Sequence, residues 1–469
     1  MKNKFNHIIL ISLDTLRADC INASPRAYTF RKKYQVDIKL KTDKLDSIMR
    51  RGSYFNHCIS AAPATPVSHA AYFTGYWPLS NGVYEFFNRK LSKPTIFQLA
   101  KKSGYKTIFQ TDFPIILGEH LGFNRGVDHY YVEDETAAMK KLFSAKNQKT
   151  LSFFHFGGIH YPYGFHNLKF GGQDYVNKVL EIEKKYNISG DGQLEDTLDE
   201  SYRSLQDKKY LFRYKIIIEY LYKNRHYNEL FLLYLEGINY FFKNRFDKFI
   251  SQLLDFVDSN KCLLVIFSDH GEAWDQDCYG HHNSLSQDIL RVPLIFYGQG
   301  IKAKVYDKMV RTIDLTPTLL DFMIGGRIDE SMDGRNLFST DEALSREMDN
   351  CAIAQVWQVG DKHKLSKYQQ DALKRKKMTK PLKTFLSSEM IYDGEYKFVR
   401  NYDKYHNLTK KIFLKKKNDE LSQIKTDNRL DALVKILNNY NNLLISRGGN
   451  IKEVSQAVRD DLLNMGYHI

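Results

Sequence analysis

Ile8-Ile9-Leu10-Ile11-Ser12-Leu13 is a run with one polar side chain, and Asp14 ends it. Apolar residues at odd and even positions alike need cover on both faces, the pattern of a buried parallel strand. Comparable short runs recur at Thr107–Gln110, Leu151–Phe156, Leu263–Ser268 and Leu294–Tyr297. Helical patterns lie between them, as at Thr95–Ser103 before Gly104 and at Phe246–Val257. Strands alternating with helices predict an α/β fold, a mostly parallel sheet with helices on both faces.

Further out the pattern changes twice. From about 165 to 246 it becomes amphipathic helix rich in Tyr, Leu and Lys, which predicts a helical lid inserted between two core strands. After about 346 a basic segment leads to Glu389-Met-Ile-Tyr-Asp-Gly-Glu-Tyr-Lys-Phe-Val399, two short strands about an Asp-Gly turn, and then to helices. The expected organisation is a catalytic domain over 1–345 and a smaller α+β subdomain over 346–469. A chain of 469 residues exceeds the ~250–300 at which one core stops growing. With 43% hydrophobic residues it is neither disordered nor collagen-like.

No run approaches the ~18–20 apolar residues of a membrane span, so no transmembrane segment is expected. Five cysteines, odd in number and never in Cys-x-x-Cys, suit a reducing compartment. The N-terminal apolar stretch is too short for a secretory signal, and cytoplasmic residence is the expectation. The net charge of +14 is concentrated late, with 24 basic against 15 acidic residues over 346–469. Such an excess attracts polyanions or anionic lipid, or is simply a solvated basic face. Neither an RNA-binding motif nor a zinc-finger spacing accompanies it, so no specific nucleic acid is expected.

Ligands of open α/β sheets collect beyond the carboxyl ends of the strands. Asp14 follows the first strand, and Asp269-His270 follows Leu263–Ser268. Two carboxylates and an imidazole at one edge form a plausible divalent-cation site. An Asp after a strand also serves as a helix cap, but Ser268-Asp-His-Gly-Glu272 clusters too many polar groups for that alone. In Ala64-Thr-Pro-Val-Ser-His-Ala-Ala-Tyr-Phe-Thr-Gly75, Thr65 is placed as N-cap, with Pro66 at the first helical position and Gly75 closing the helix. Thr65 is therefore either a plain cap or a nucleophile activated by a cation and the helix N-terminus. His69, one turn on, would orient or protonate its oxygen.

Together these segments resemble the sulfatase branch of the alkaline phosphatase superfamily. The matching segments are Ile11–Asp19, Thr65–Gly75, His160-Tyr-Pro-Tyr163, Ser268–Glu272, His282 through Arg291-Val-Pro-Leu294, Asp314–Asp321 and Asp333–Leu337, in the family's order. The resemblance implies an alkaline-phosphatase-like fold over about residues 5–340. It also implies a metal site of Asp14, Thr65, Asp269 and His270, with Thr65 as nucleophile. His69 falls where sulfatases carry an Arg. His160 and His282 match positions that contact the transferred anionic group.

Departures from the family pattern bear on the reaction. Sulfatases use Cys or Ser, oxidised to formylglycine, within Cys-x-Pro-x-Arg; this chain has Thr65-Pro-Val-Ser-His69. Threonine cannot become formylglycine. Gln110-Thr-Asp-Phe-Pro-Ile-Ile-Leu-Gly118 stands where sulfatases supply a catalytic Lys and His, and Thr15 where many have a second Asp. The set is closer to threonine-dependent phosphodiesterases, phosphonate monoester hydrolases and phosphoethanolamine transferases. The expectation is hydrolysis or transfer of phosphoesters with one divalent ion (Zn, Mn, Ca or Mg), a second being left open because Phe156-Gly-Gly-Ile-His160 lacks an acid. The expected substrate is a small-molecule or a glycan- or lipid-linked anionic ester. Alternatives are sulfate-ester hydrolysis without formylglycine and a non-catalytic polyanion-binding protein.

Overall fold

The computed structural model describes residues 5–85, 89–160, 163, 173–188, 217–325, 331–339, 347–359, 384–417, 420–425 and 427–446. The opening apolar run is a strand, β1 (His7–Leu13), buried along its whole length. It is central in an eight-stranded sheet with β2 (Ser53–Phe55), β3 (Lys106–Thr111), β4 (His129–Val132), β5 (Thr150–Phe156), β6 (Cys262–Phe267), β7 (Leu294–Gly298) and β8 (Lys304–Tyr306). The spatial order is β8-β2-β7-β6-β1-β5-β3-β4. On β1, Ile9 stands opposite Ser152 on one side and Leu264 on the other, both pairings parallel. Only β7 is reversed, antiparallel to both β6 and β2.

Alternation along β1 splits the core into two layers. Ile9, Ile11 and Leu13 face one and Ile8 and Leu10 the other. The covering helices include α1 (Thr65–Thr74), α2 (Ile96–Lys102), α3 (Tyr227–Phe241), α4 (Asp247–Ser259) and α5 (Leu315–Ile324). The first layer is closed by Leu230, Tyr234 and Ile238 of α3 and Phe249 and Leu253 of α4. The second is closed by Phe73 of α1, Phe97 of α2 and Leu319 of α5. Each such side chain contributes roughly 1.5–3 kcal/mol through burial. The fold is the expected one: a mostly parallel sheet between two helical layers.

The inner part of the predicted insertion is core, not cover. α3 is buried along one face, and a π-helical segment, Phe242–Phe246, joins it to α4. Arg245 of that segment grips Asp112 at 2.6 and 2.9 Å and both Glu135 oxygens at 2.9 Å. Residues 165–172 and 189–216 of the predicted lid lie outside the described residues.

The chain then builds a five-stranded antiparallel sheet: β9 (Ala352–Val359), β10 (Thr384–Tyr392), β11 (Tyr396–Tyr402), β12 (Leu408–Lys417) and β13 (Glu420–Ile424), in that order. The predicted Asp-Gly hairpin is β10–β11, with Gly394 at φ +97°. Helix α6 (Asn428–Ser446) packs on this sheet; residues 447–469 lie outside the described residues. The sheet and α6 share one apolar cluster with Trp77, Leu79, Leu285, Leu290 and Ile313. A boundary near 345 thus divides the chain but not the core.

Candidate active site

Three strand and helix ends meet at the carboxyl edge of the sheet. β1 delivers Asp14, and the next residue, Thr15, turns the chain at φ +62°, a conformation that costs a β-branched residue strain. That turn is held on both sides. Its amide donates to Asp269 Oδ1 at 3.3 Å, and its carbonyl accepts from the Tyr234 hydroxyl at 2.7 Å. β6 delivers Asp269 and His270. The Asp269 carbonyl lies 2.6 and 2.8 Å from the hydroxyls of Ser60 and Ser68, and Tyr72 donates to the Ser268 carbonyl at 2.9 Å.

Thr65 is the first residue of α1, not its cap. Ala64 occupies that position and makes no side-chain cap bond, so the N-cap placement shifts by one residue. The hydroxyl is therefore directed to the site, where it donates to Asp14 Oδ2 at 3.4 Å and lies 3.2 Å from His270 Nε2. His270 Nε2 is in turn 3.4 Å from Asp269 Oδ2 and 3.8 Å from Asp14 Oδ1. All four side chains are fully buried.

Hydrogen-bond partners fix the tautomers around them. His270 Nδ1 faces the Gly271 carbonyl at 3.0 Å, so it carries the proton and Nε2 offers a lone pair to the site. His69 Nδ1 faces the Thr65 carbonyl at 2.8 Å and Nε2 the Ser12 hydroxyl at 2.9 Å. Neither of these bonds goes to the Thr65 hydroxyl, and Nδ1 also lies 3.7 Å from Asp269 Oδ2. Burial pushes the His69 imidazole down to about 3. His282 adopts φ +72°, with its amide on the Pro63 carbonyl at 3.0 Å, two residues before Thr65. Its ring stands 6.2 Å from that of His270. The His160 ring is 4.8 Å from that of His281.

Two residues given no role from sequence stand in the same cluster. His155, inside the apolar run of β5, places Nε2 3.2 Å from Asp14 Oδ2 and is fully buried. The His281 ring lies 4.4 Å from the His270 ring and tilted 35° to it, and its Nδ1 faces both Glu272 oxygens at 3.3 and 3.2 Å. A polar residue inside an apolar strand was the available signal for His155, and the doubled His281-His282 for His281. Other motif residues serve as braces. Arg17 pairs with Asp19 and Asp288 and donates to the Glu272 carbonyl, while Arg311 pairs with Asp314.

The donor set fits a divalent cation. Asp14 Oδ1 and Asp269 Oδ2 are buried without a hydrogen-bond partner, and their donor atoms and that of His270 lie within 4.8 Å of one another. Burial, and then the charge of Asp269, push the Asp14 carboxyl well above its ordinary range. Two carboxylates in so dry a box call for a positive charge between them. His160, His281 and His282 form a second such group beside it.

The model of one protein family, described as Sulfatase, matches residues 6–326. The chain belongs to the sulfatase family. It is an ester hydrolase of that family, whose members bind a divalent metal and act on sulfate or phosphonate esters. No curated protein matches the chain. Among solved structures, the sulfatase-family fold is shared with a protein crystallised with its substrate D-glucosamine-2-N,6-O-disulfate. That pair has 15% identity and a TM-score of 0.60, over 96% of this chain and 100% of the other. Phosphonate monoester hydrolase of Agrobacterium radiobacter is similar at 14% identity and TM-score 0.58, over 94% and 95%. A putative sulfatase from Bacteroides thetaiotaomicron VPI-5482 gives 17% and 0.54, over 97% and 93%.

Proposed function

We propose that this sulfatase-family enzyme hydrolyses or transfers phosphoesters, with Thr65 as nucleophile. The observation that carries this is the buried Thr65 hydroxyl, 3.4 Å from Asp14 Oδ2 and 3.2 Å from His270 Nε2 beside two unpartnered carboxylate oxygens. Asp14, Thr65, Asp269 and His270 would hold the divalent ion. Such an ion lowers the hydroxyl's pKa and neutralises charge on a non-bridging phosphoryl oxygen.

The Thr65 oxygen attacks phosphorus in line, and its proton leaves toward Asp14 Oδ2. The bond from phosphorus to the leaving oxygen breaks, and His282 gives that oxygen a proton. His160 and His282 hold the remaining phosphoryl oxygens. Water or an acceptor alcohol then attacks the phosphorus and gives its proton to His282, while the bond to Thr65 breaks and Asp14 Oδ2 returns the proton to the Thr65 oxygen. His69 acts beneath the site as an orienting group, because both its nitrogens are engaged with Thr65 and Ser12.

Thr65→Ala should lower turnover of an aryl phosphodiester at least ~10²-fold. Unchanged turnover in the purified variant rejects Thr65 as nucleophile. An aryl sulfate and an aryl phosphate monoester assayed on the same preparation decide between sulfate and phosphate chemistry. Family neighbours of both kinds are known in structure, one holding a sulfated sugar. They support a small or glycan-linked anionic ester as substrate. Five free, buried thiols support residence in a reducing compartment.

A further inference from the structure

Lys397 lies on β11 with 2% of its surface exposed, and its Nζ donates to the backbone carbonyl of Leu285. Long cationic side chains normally keep the head group in water. Here burial pushes the amine down to about 7 against the pull of Asp288. The groups that face it are that carbonyl and Asp288. The Asp288 carboxylate is already engaged with Arg17 at 3.0 Å and Lys33 at 3.2 Å.

Leu285 is three residues past His282. The loop is pinned at its start by His282 N on the Pro63 carbonyl at 3.0 Å, and at its end by Gly271 N on the Ile289 carbonyl at 2.7 Å. At its middle, the hold on the Leu285 carbonyl comes from the C-terminal sheet. Leu285 itself packs into the apolar cluster that the two parts of the chain share.

We propose that Lys397 is a positioning residue: by holding the Leu285 carbonyl it fixes loop 281–286, and with it the His281 and His282 rings, at the edge where Thr65 stands. The C-terminal sheet is then a working part of the active site. This rests on the role assigned to His282 above.

The test uses the full chain with an aryl phosphodiester. Lys397→Met keeps the stem and removes the donor. It should lower kcat about tenfold with KM changed less than about twofold, while Lys397→Arg, which retains a donor, recovers part of the loss. Amide hydrogen exchange should accelerate across 281–290 and not across 65–74. In a His282→Ala background, Lys397→Met should cost much less than it does alone, because the ring it positions is gone. Fully multiplicative losses, or unaltered exchange across 281–290, overturn the proposal. Full turnover in His282→Ala alone, with accelerated exchange in Lys397→Met, instead rejects the catalytic role of His282 and upholds the clamp. If Lys397→Met fails to fold, Lys397→Gln carries the same comparison.

Discussion

His155 donates from Nε2 to one oxygen of Asp14 and leaves the other facing His270. Partners of this kind orient a ligand carboxylate and typically matter 10–100-fold for metal affinity or activity. His155→Leu should therefore weaken metal retention ~10-fold or more, and His155→Gln, which keeps a donor, should lose less. Metal content after dialysis against a graded chelator reads this directly. His57 offers a different residue-level test, away from the site. Burial, then the charges of Arg291, Lys416 and Arg26, push its imidazole down to about 3. The folded protein keeps that ring neutral where the unfolded chain, titrating near 6.5, takes up a proton. Stability from this source is intact above pH 6.5 and declines as pH falls toward 3, by up to ~1.4 kcal/mol per unit. His57→Phe should shrink the difference in unfolding free energy between pH 7.5 and 5.0 by about 1–2 kcal/mol in urea titrations. An unchanged difference means the ring does not titrate on unfolding. The carboxylates and His270 were legible in sequence because polar groups at strand ends stand out. His155 carried a weaker signal, a polar residue inside a strand that reads as strand with or without it.

Gly271 shows why the segment after β6 has the residues it has. A Cβ there would stand 2.2 Å from the backbone carbonyl of Asp288. Backbone cannot yield as a flexible side chain does, so Gly271→Ala must displace either the Asp269–His270 turn or the 281–290 loop. It should destabilise the protein by about 1–3 kcal/mol in urea and lower metal content together. Loss of neither would mean that the turn tolerates movement. Gly104→Ala is the control: its Cβ meets open space, and only the φ of +82° resists it. The elements most legible in sequence were those with a single dominant period. β1, β5, β6 and β7 were placed within a residue or two, while Thr95, read as the first residue of its helix, is instead the side-chain cap of α2. β12 was missed because five lysines in Leu408–Lys417 hide the alternation of Ile412 and Leu414 against β11. The start of α1 moved because Thr-Pro reads as cap and first turn wherever a threonine precedes a proline. Only the geometry of Asp14 and His270 shows that its hydroxyl is needed elsewhere.

Across the whole molecule, all five cysteines are free and buried. A thiol reagent should therefore titrate none of them promptly in the native enzyme and all of them in guanidinium, and reductant should leave the melting temperature unchanged. A prompt native thiol would contradict the burial of that residue. The change of pattern near 346 marks the antiparallel sheet, but a cluster shared through Trp77, Leu290 and Ile313 cannot be read from local periodicity because its members are far apart in sequence. The insertion was read as amphipathic helix rich in Tyr, Leu and Lys, which does not tell a helix that closes the sheet from one that covers a site. Tyr234 of α3 reaches the Thr15 carbonyl, and Arg245 ties the next turn to Asp112, which accepts the Gly157 amide at 2.8 Å. Anyone swapping that insertion would be cutting into the foundations of the pocket around Thr65. A graft that takes Tyr234 and Arg245 away leaves the Thr15 turn and Asp112 without these anchors.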